Sequence, residues 1–471
     1  MAHNKFLPRV LAAAAAMMLL AGCSSKADPG FSPANPVNIT IWTYYNGEQL
    51  EAFNALVDEF NSTVGKEQGI TVESSSHGSV TDLENNVLAS AEGKVGAEAM
   101  PNIFSAYADT AYALDEMGQI ADLSDYLSEE DRAAFIEDYL SEGDFSGSGS
   151  IKIFPVAKSA ELLFLNETDW EPFAAATGAT YDDLATIEGL VSVAERYYEW
   201  TDAQTPDIPN DGRAFFGRDA MANYMLIGAK QLGCTIFAAQ GGSMTLNFDH
   251  DAVRTLWDNY YVPFIKGYFS ASGRFRSDDV KTGNIIAYVG SSSSATFFPT
   301  QVIADDMDSH DITRKALESP KFANGEDYAV QQGAGMVVTK ASDAEIQASL
   351  VFLKWFTSPE HNITFSVDSG YLPVTHEGNS IDAIRISGLA LSDEMDEVLS
   401  AAVDTVNENH LYTPRAFSGG TNARAILEYS MSDKASADRA AVKEAMAQGQ
   451  SFEEASAQFL SDKCFEVWYQ D

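Results

Sequence analysis

Histidine, aspartate and serine, which often act in catalysis, are present in this sequence, but they are not spaced as in known catalytic motifs. Seven histidines are scattered along the chain, and no pair has the spacing of metal ligands. The nearest approach to a cluster is Asp249-His250-Asp251, which we interpret as a loop with an aspartate that caps the next helix. Gly290 is followed by serines without the second glycine of a nucleophile elbow, and no strand leads into a nucleotide-binding glycine loop. The sequence therefore predicts no catalytic residue, no metal site and no cofactor.

The 69 acidic residues leave one enzymatic alternative open. A glycoside hydrolase needs only two suitably placed carboxylates, and a chain this acidic supplies such pairs by chance. Most of these side chains are expected to be solvated surface, so their number is no argument for catalysis. Two alternatives to a protein that binds a small molecule therefore stay open. One is a surface glycoside hydrolase, and the other is a scaffold protein that binds no small molecule.

Aromatic and short polar side chains instead gather at the ends of predicted strands. Trp42-Thr43-Tyr44-Tyr45 stands where the first strand passes into its helix, Tyr107 and Asp109 follow another strand, and a serine run at 291–294 follows a third. Carboxyl ends of strands form the ligand side of open α/β sheets, and sugars bind by stacking on aromatic rings and by hydrogen bonds. This pattern favours a binding cleft. Core packing of the aromatic residues, a helix cap at Asp109 and an exposed serine loop are the structural alternatives.

The elements that must position these residues alternate between strand and helix periodicity. Residues 37–42 alternate apolar and polar side chains, the apolar residues from Leu50 to Phe60 recur at helical spacing, and residues 69–72 form a second predicted strand. The pattern repeats with a helix over 80–91, a strand over 102–104 and a helix that begins near Thr110. This alternation predicts mostly parallel sheets covered by helices.

Two domains are expected, because 471 residues with 45% hydrophobic content exceed what one core usually spans. The Gly/Ser-rich stretch 143–150 precedes a predicted strand over 151–154, which we interpret as the first crossing between domains. A strand over 284–289 is predicted to lead the chain back to the first domain. The polar, aperiodic stretch 305–326 is predicted to be an irregular surface excursion.

The first residues indicate export. Lys5 and Arg9 precede the apolar run 10–20, which is too short to span a membrane and is typical of a signal peptide. The run ends in Leu20-Ala21-Gly22-Cys23, the pattern of a lipobox, although a plain signal peptide with a chance cysteine is the alternative. We expect a signal peptide at 1–22 and a lipidated tether at 23–36. Cys23 would anchor the protein to the outer face of the cytoplasmic membrane.

The net charge limits the kinds of partner this chain can bind, and the cysteine count limits the disulfides it can form. The formal net charge of −40 would repel nucleic acid and anionic lipid headgroups. Besides Cys23 the chain has Cys234 and Cys464, and a disulfide between them is allowed in an exported protein. Spacing alone leaves a disulfide and two free thiols equally open.

Several motifs resemble the family 1 extracellular solute-binding proteins. Besides the lipobox these are Met100-Pro101-Asn102-Ile103, Gln331-Gln332-Gly333-Ala334-Gly335-Met336, Trp355-Phe356-Thr357-Ser358-Pro359-Glu360 and Ser369-Gly370-Tyr371-Leu372-Pro373-Val374. The resemblance covers essentially the whole chain after the signal segment. It implies a two-lobed, type II-like periplasmic-binding-protein fold, with each lobe a mostly parallel sheet flanked by helices and with crossing strands between the lobes. We expect lobe 1 at 37–150 plus 288–340, and lobe 2 at 151–287 plus 341–471.

The resemblance also implies where a ligand would lie. If the ligand carried a phosphate, Arg218 and Arg415 could each pair with it. Tyr45 joins the predicted ligand contacts because it stands at the end of the first strand. The full predicted set is Tyr44, Tyr45, Asp109, Ser159, Arg218, Ser291, Ser292, Gly335, Tyr371 and Arg415.

The resemblance implies a protein that binds its ligand without catalysing a reaction on it. A monomeric substrate-binding lipoprotein of an ABC importer would hold a sugar or polyol between its lobes and deliver it to the permease subunits. Glycerol-3-phosphate binders of the family have a Tyr-Glu pair and tryptophans where this chain has Val80-Thr81 and Arg218-Asp219. A neutral sugar is therefore favoured over a glycerol phosphate or glycerophosphodiester, which is the alternative within the family.

Overall fold

The computed structural model describes residues 30–240, 243–304 and 308–471. The predicted signal segment and Cys23 lie outside these residues. Among the described residues, no helix is both long enough and apolar enough to span a bilayer. The strands are β1 (Val37–Thr43), β2 (Ile70–Ser76), β3 (Ile103–Ala106), β4 (Glu161–Asn166), β5 (Phe216–Arg218), β6 (Phe237–Gln240), β7 (Ser243–Leu246), β8 (Ala287–Ser291), β9 (Gln301–Val302), β10 (His310–Asp311), β11 (Arg314–Glu318), β12 (Tyr328–Val330), β13 (Gly335–Val338) and β14 (His410–Tyr412).

Helices cover both faces of the two larger sheets. Two 3₁₀ turns, Tyr181–Leu184 and Ser292–Phe297, complete the elements. The helices are α1 (Gly47–Ser62), α2 (Val64–Gln68), α3 (Val80–Ala91), α4 (Ala108–Glu116), α5 (Glu129–Ala134), α6 (Glu137–Ser141), α7 (Glu167–Thr177), α8 (Ile187–Asp202), α9 (Met221–Gln231), α10 (His250–Lys266), α11 (Arg276–Lys281), α12 (Asp343–Phe356), α13 (Pro359–Ser369), α14 (Ile381–Ile386), α15 (Asp393–Glu408), α16 (Gly420–Ala447), α17 (Phe452–Ser456) and α18 (Asp462–Gln470).

The first lobe is built on a four-stranded sheet in the order β13-β3-β1-β2. β1 runs parallel to both β2 and β3, and β13 joins antiparallel to β3 with Gly335 opposite Ala106. The predicted β-α-β opening is confirmed. The central strand β3 is buried along its whole length, as a sheet covered by helices on two sides requires.

Helices α12 and α13 return to this first sheet. α12 packs against β1, α13 packs against α1, and the Phe53 ring of α1 lies 5.5 Å from the Phe356 ring and 6.5 Å from the Phe365 ring. Residues 343–369 therefore pack in lobe 1, whereas the predicted boundary put everything after 340 in lobe 2. Their apolar spacing predicted helices correctly but carries no information on which sheet they cover.

The second lobe is built on a sheet in the order β11-β4-β8-β5. β4 is antiparallel to β8 and β11, and only β5 runs parallel to β8, so this sheet departs from the mostly parallel pattern. β8 lies wholly in this sheet, although residues from 288 onward were assigned to lobe 1. β11 lies inside the stretch that was predicted to be irregular. Its position at the edge of the sheet explains the error, because Arg314 and Lys315 interrupt its apolar pattern there.

A separate core of aromatic residues fills the second lobe between its sheet and helices α8, α9, α10 and α16. Trp257 stacks on Tyr261 with ring centroids 3.7 Å apart. The Asp249 side chain accepts a hydrogen bond of 3.0 Å from the Ala252 N–H and so caps α10. The interpretation of Asp249-His250-Asp251 as a helix cap is confirmed.

The two remaining cysteines are free thiols. The Cys234 sulfur lies 3.3 Å from the Asn247 carbonyl oxygen, and the Cys464 sulfur lies 3.5 Å from the Tyr261 hydroxyl. The possible disulfide between Cys234 and Cys464 is therefore not formed. Each sulfur has its own polar neighbour on a different part of the lobe 2 core.

The crossing at residues 151–160 is extended but forms no regular strand. Single bridges join Phe154 to Met336, Lys158 to Leu372 and Ser159 to Gln332. The Lys158 ammonium is fully buried, where it pairs with Glu142 and donates a 2.7 Å hydrogen bond to the Gly333 carbonyl. A buried charge that is both paired and hydrogen-bonded holds the crossing in a defined position.

Candidate functional site

Three tyrosines lie at the edge of the first lobe that faces the second. Tyr44 follows β1, Tyr107 precedes α4, and Tyr371 follows α13. The hydroxyls of Tyr44 and Tyr371 are 3.2 Å apart. Burial raises the pKa of all three phenols, and the charge of the nearby Tyr371 phenol adds to the effect at Tyr44 and Tyr107. At Tyr371 the hydrogen bond with Tyr44 opposes the effect of burial on the pKa. The three phenols therefore stay neutral and can both donate and accept hydrogen bonds.

Local sequence explains the place of Tyr371. Pro359 stands at the start of α13, where its missing N–H costs nothing. Gly370 ends the helix with a φ of 70°, a left-handed conformation that glycine adopts without strain. The turn delivers the next residue, Tyr371, to Tyr44. Tyr45, by contrast, is 1% exposed and packs on Phe53 as core.

We call Tyr44, Tyr107 and Tyr371 together the tyrosine wall. The serines at the end of β8 and directly after it fasten the second lobe to this wall. Ser291 caps the 3₁₀ turn by accepting a hydrogen bond of 3.3 Å from the Ser293 N–H. The buried Ser292 hydroxyl donates to the Gly370 carbonyl at 2.9 Å, and Gln49 donates to the Ser293 carbonyl at 3.4 Å. Ser292 is thus engaged in holding the lobes together, and Ser291 stands at the rim of the contact.

Asp109 lies where α4 of the first lobe meets α16 of the second. A Cβ atom on Gly420 would stand 2.2 Å from an Asp109 carboxylate oxygen, so a larger residue there would displace the Asp109 side chain. Burial raises the pKa of Asp109 to about 6, Arg424 opposes the shift, and Glu84 adds to it. The two lobes therefore touch through a partly desolvated carboxylate.

Arg424 is the cation of the site that sequence reasoning missed. It extends from α16, donates a hydrogen bond to the Asn223 side-chain oxygen, and its charge acts on both Tyr107 and Asp109. Asn223 in turn donates to Glu161 at 2.8 Å. Arg424 occurs in a helix rich in alanine and charged residues, and no motif marks it.

Arg218 lies at the inner end of the hydrogen-bonded series that runs from Arg424 through Asn223 to Glu161. Its guanidinium donates to the second Glu161 carboxylate oxygen at 2.9 Å and lies 5.2 Å from the Tyr224 ring. A cavity of about 30 Å³ adjoins Arg218 and Glu161, which is room for about two waters. Arg218 is thus engaged inside lobe 2, and the structure does not bring it to the tyrosine wall.

Ser159 and Gly335 lie in the crossing region. The Ser159 N–H donates to the Gln332 carbonyl at 2.9 Å. A Cβ atom on Gly335 would stand 2.2 Å from the Ile153 side chain, so the glycine is required for close packing of the crossing segment on β13. Both residues support the wall from behind.

Arg415 lies at the outer end of the contact between the lobes. It lines a pocket of about 450 Å³ with Ala238, Ala239, Ser243 and Thr245. In the described parts of the chain, no group of three or more histidine, cysteine or acidic side chains is placed to hold a metal ion. The arrangement can therefore bind and enclose a polar molecule, with hydroxyl, guanidinium and carboxylate groups around it.

The sequence profile of the bacterial extracellular solute-binding proteins matches residues 55–384. This chain belongs to that family. The match includes β3, which leads to Tyr107, and the α12–α13 pair, which leads to Tyr371. β1 and Tyr44 precede the matched residues, and Arg415 and Arg424 follow them. No curated protein sequence matches the chain.

Solved structures share the fold of this solute-binding protein at low sequence identity. The cyclic α-maltosyl-1,6-maltose binding protein of Arthrobacter globiformis has a TM-score of 0.65 at 17% identity, over 89% of this chain and 96% of that one. UgpB of Mycobacterium tuberculosis, in complex with glycerophosphocholine, has a TM-score of 0.62 at 18% identity, over 83% and 92%. The GacH receptor of Streptomyces glaucescens has a TM-score of 0.63 at 13% identity, over 92% and 98%. The expected two-lobed α/β fold is confirmed.

Proposed function

We propose that this solute-binding protein captures a sugar or sugar-like polyol between its lobes, passes it to the permease subunits of an ABC importer, and performs no chemistry on it. The observation that carries the proposal is the convergence of Tyr44, Tyr107 and Tyr371 opposite Ser291 and Arg424. The tyrosines come from three separate segments of one lobe, and the partners come from the other lobe.

The chemistry of this convergence suits a polyhydroxylated ligand. Tyrosine rings pack on the apolar C–H faces of a sugar ring, and neutral phenols, serine hydroxyls and a guanidinium satisfy its hydroxyls. The charges at the site also favour a neutral ligand, because Asp109 and Glu84 stand near Arg424. A phosphate ester would have to approach two carboxylates.

The named ligands of the structural neighbours support the same class. These neighbours bind cyclic maltosyl-maltose, glycerophosphocholine and acarbose, of which the first and the last are carbohydrates or carbohydrate-like. The likeness itself is one of fold. It is the cleft chemistry of this chain that favours the sugar over the phosphodiester.

Capture would proceed by closure of the lobes. A ligand shifts the population toward the shut form by making better contacts there. The chain passes between the lobes at 151–160 and again between β11 and β13. The shut surface would then be presented to the permease. Through Cys23 the tether would hold the protein beside that permease on the outer face of the membrane.

A thermal-shift screen of the protein trimmed to residue 30 tests the proposal. The panel is neutral mono- and oligosaccharides, polyols and their phosphate esters, each at high concentration. A ligand at 100 times its dissociation constant adds about 2.7 kcal/mol to the free energy of unfolding. We expect a neutral sugar or polyol to raise the melting temperature without being altered, as checked by chromatography. A response to phosphate esters alone, or breakdown of the sugar, would overturn the proposal.

A further inference from the structure

Asn223 is a buried polar residue that stands behind Arg424. It lies in the first turn of α9 and is 1% exposed. Its amide nitrogen donates a 2.8 Å hydrogen bond to Glu161, and its oxygen accepts one from Arg424. A residue buried to this degree offers no surface to a molecule between the lobes. Any effect of Asn223 on ligand binding must therefore pass through a neighbouring side chain.

The chemistry of its two neighbours fixes the direction in which the Asn223 amide points. The Glu161 carboxylate, which pairs with Arg218 at 2.9 Å, accepts hydrogen bonds, whereas the Arg424 guanidinium only donates them. An amide has a donor end and an acceptor end, so it satisfies both neighbours in a single orientation. A carboxylate at position 223 would repel Glu161, and an alkyl side chain would leave both neighbours without their partner.

The same contacts fasten Arg424 to the framework of lobe 2. Glu161 is the first residue of β4, directly after the crossing at 151–160. One turn beyond Arg424 on α16, the Glu428 carboxylate accepts hydrogen bonds of 3.1 and 2.8 Å from the first two N–H groups of α9. Polar contacts therefore join β4, α9 and α16, and the Arg424 side chain is held by the same lobe from which it extends.

The Arg424 guanidinium keeps most of its donors for a molecule between the lobes. A guanidinium has five N–H donors, and within the described residues Arg424 uses one of them, on Asn223. The positive charge of Arg424 lowers the pKa of Tyr107 and Asp109, which belong to the other lobe. The unused donors thus stand beside the tyrosine wall, and the contact that orients the guanidinium comes from the opposite side.

We propose that Asn223 is a positioning residue for ligand binding: it orients Arg424 in the unliganded protein, and Arg424 then donates hydrogen bonds to the hydroxyl oxygens of the ligand. A mobile arginine side chain loses rotamer freedom when a ligand immobilises it, and this loss weakens binding. Asn223 reduces the loss, because Arg424 is already held before the ligand arrives. The inference rests on the proposed function and adds to it a residue that the ligand does not touch.

A double-mutant cycle tests the inference. The probe is the neutral sugar or polyol with the largest effect in the thermal-shift screen, and calorimetry gives its dissociation constant. Asn223→Leu keeps a side chain of similar shape and removes both hydrogen bonds, so we expect about three- to tenfold weaker binding. Arg424→Ala should weaken binding at least about tenfold, because a ligand contact of a charged group is lost. With Arg424→Ala already present, Asn223→Leu should change the affinity by less than about twofold.

The cycle distinguishes positioning from a general effect on the fold. If Asn223→Leu weakened binding by the same factor with and without Arg424, Asn223 would not act through Arg424 and the inference would be overturned. Asn259→Leu is the matched control and should bind as wild type does. Asn259 lies on α10 of the same lobe, is partly buried, and donates a 2.9 Å hydrogen bond to the Thr255 carbonyl. Asn223→Ala replaces Asn223→Leu in the cycle if the leucine variant does not fold.

The mobility of the Arg424 side chain in the unliganded wild type gives a measurement that needs neither a ligand nor a stable Asn223 variant. NMR relaxation of arginine Nε–H groups measures it, and the Arg424 signal is assigned by its loss in Arg424→Ala. We expect an order parameter near about 0.85 for Arg424. Arg415 is exposed and makes no hydrogen bond or ion pair among the described residues, so its value should lie below about 0.6. An Arg424 side chain as mobile as Arg415 would contradict the inference.

The outcomes separate this inference from the proposed function. If a folded Asn223→Leu protein binds the sugar with the affinity of wild type, the inference fails and the proposed function stands. If no sugar or polyol of the panel binds to wild type, the proposed function fails, and the role of Arg424 at a ligand fails with it, whatever the mobility of its side chain.

Discussion

The hydroxyls of Tyr44 and Tyr371 meet at 3.2 Å although 327 residues separate them in the chain. The contact joins the end of the first strand to the end of α13, which returns from beyond the second lobe. It also places two buried phenols next to the serine turn of the second lobe, where Tyr371 lies within hydrogen-bonding reach of Ser293. The tyrosine wall therefore depends on a long-range return of the chain.

Removal of one member of this pair should cost stability. In Tyr371→Phe the Tyr44 hydroxyl stays buried and loses its partner, so we expect the free energy of unfolding to fall by about 1–2 kcal/mol. Denaturant unfolding measures the change. Tyr429→Phe is the matched control, because its side chain is 60% exposed and should shift stability by less than about 0.5 kcal/mol. Equal effects of the two variants would contradict the pairing.

Arg218 should matter for folding rather than for ligand contact. Its side chain and that of Glu161 are 7% and 6% exposed, and loss of one partner leaves an uncompensated buried charge. We expect Arg218→Met to lower the free energy of unfolding by about 3–5 kcal/mol. Arg385→Met breaks an exposed pair with Asp396 and should cost less than about 1 kcal/mol. A stable Arg218 variant that loses only ligand binding would restore its predicted role at the ligand.

Asp109 should give the protein a specific pH dependence. Its pKa is raised by burial from 3.8 to about 6, so between these values the folded protein holds a proton that the unfolded chain has released. The contribution of this group to stability is therefore present at low pH and is lost as the pH rises through about 6. Arg424 and Glu84 face it and are unchanged in the test.

The test compares wild type with Asp109→Asn across pH 4 to 7.5 by denaturant unfolding. We expect wild type to lose stability relative to the variant as the pH rises, and the difference to level off above the pKa. Comparison with the variant is needed because burial also raises the pKa of Asp219 to about 6. Parallel stability curves for the two proteins would contradict the burial of Asp109 between the lobes.

Because the two cysteines are free thiols, we expect the stability of the protein not to depend on a reducing agent. Removal of a native disulfide typically costs about 2–5 kcal/mol, whereas Cys234 and Cys464 form none. We expect dithiothreitol to leave the melting temperature unchanged, and thiol titration of the unfolded, tether-trimmed protein to find both cysteines free without prior reduction. A large fall in melting temperature on reduction would show that the two sulfurs are paired.

Local patterns predicted much of the fold but not the assembly. The helix expected over 80–91 begins and ends where the sequence indicates, because Ser79 caps its first turn. The lobe of residues 343–369 was misassigned, since apolar spacing defines a helix without naming its partner. Tyr371 entered the predicted set of ligand contacts through its motif. Arg424 was not, because its role depends on Asn223, which lies far away in sequence.

Calorimetric titration with the sugar that gives the largest thermal shift tests the central claim most directly. Wild type and Tyr371→Ala are compared, with Tyr429→Ala as the exposed control. The account predicts one site per chain in wild type and in the control, and at least about a 100-fold weaker affinity in Tyr371→Ala, equal to about 2.7 kcal/mol. Equal affinity in wild type and a folded Tyr371→Ala protein would contradict the claim that the tyrosine wall between the lobes is the binding site.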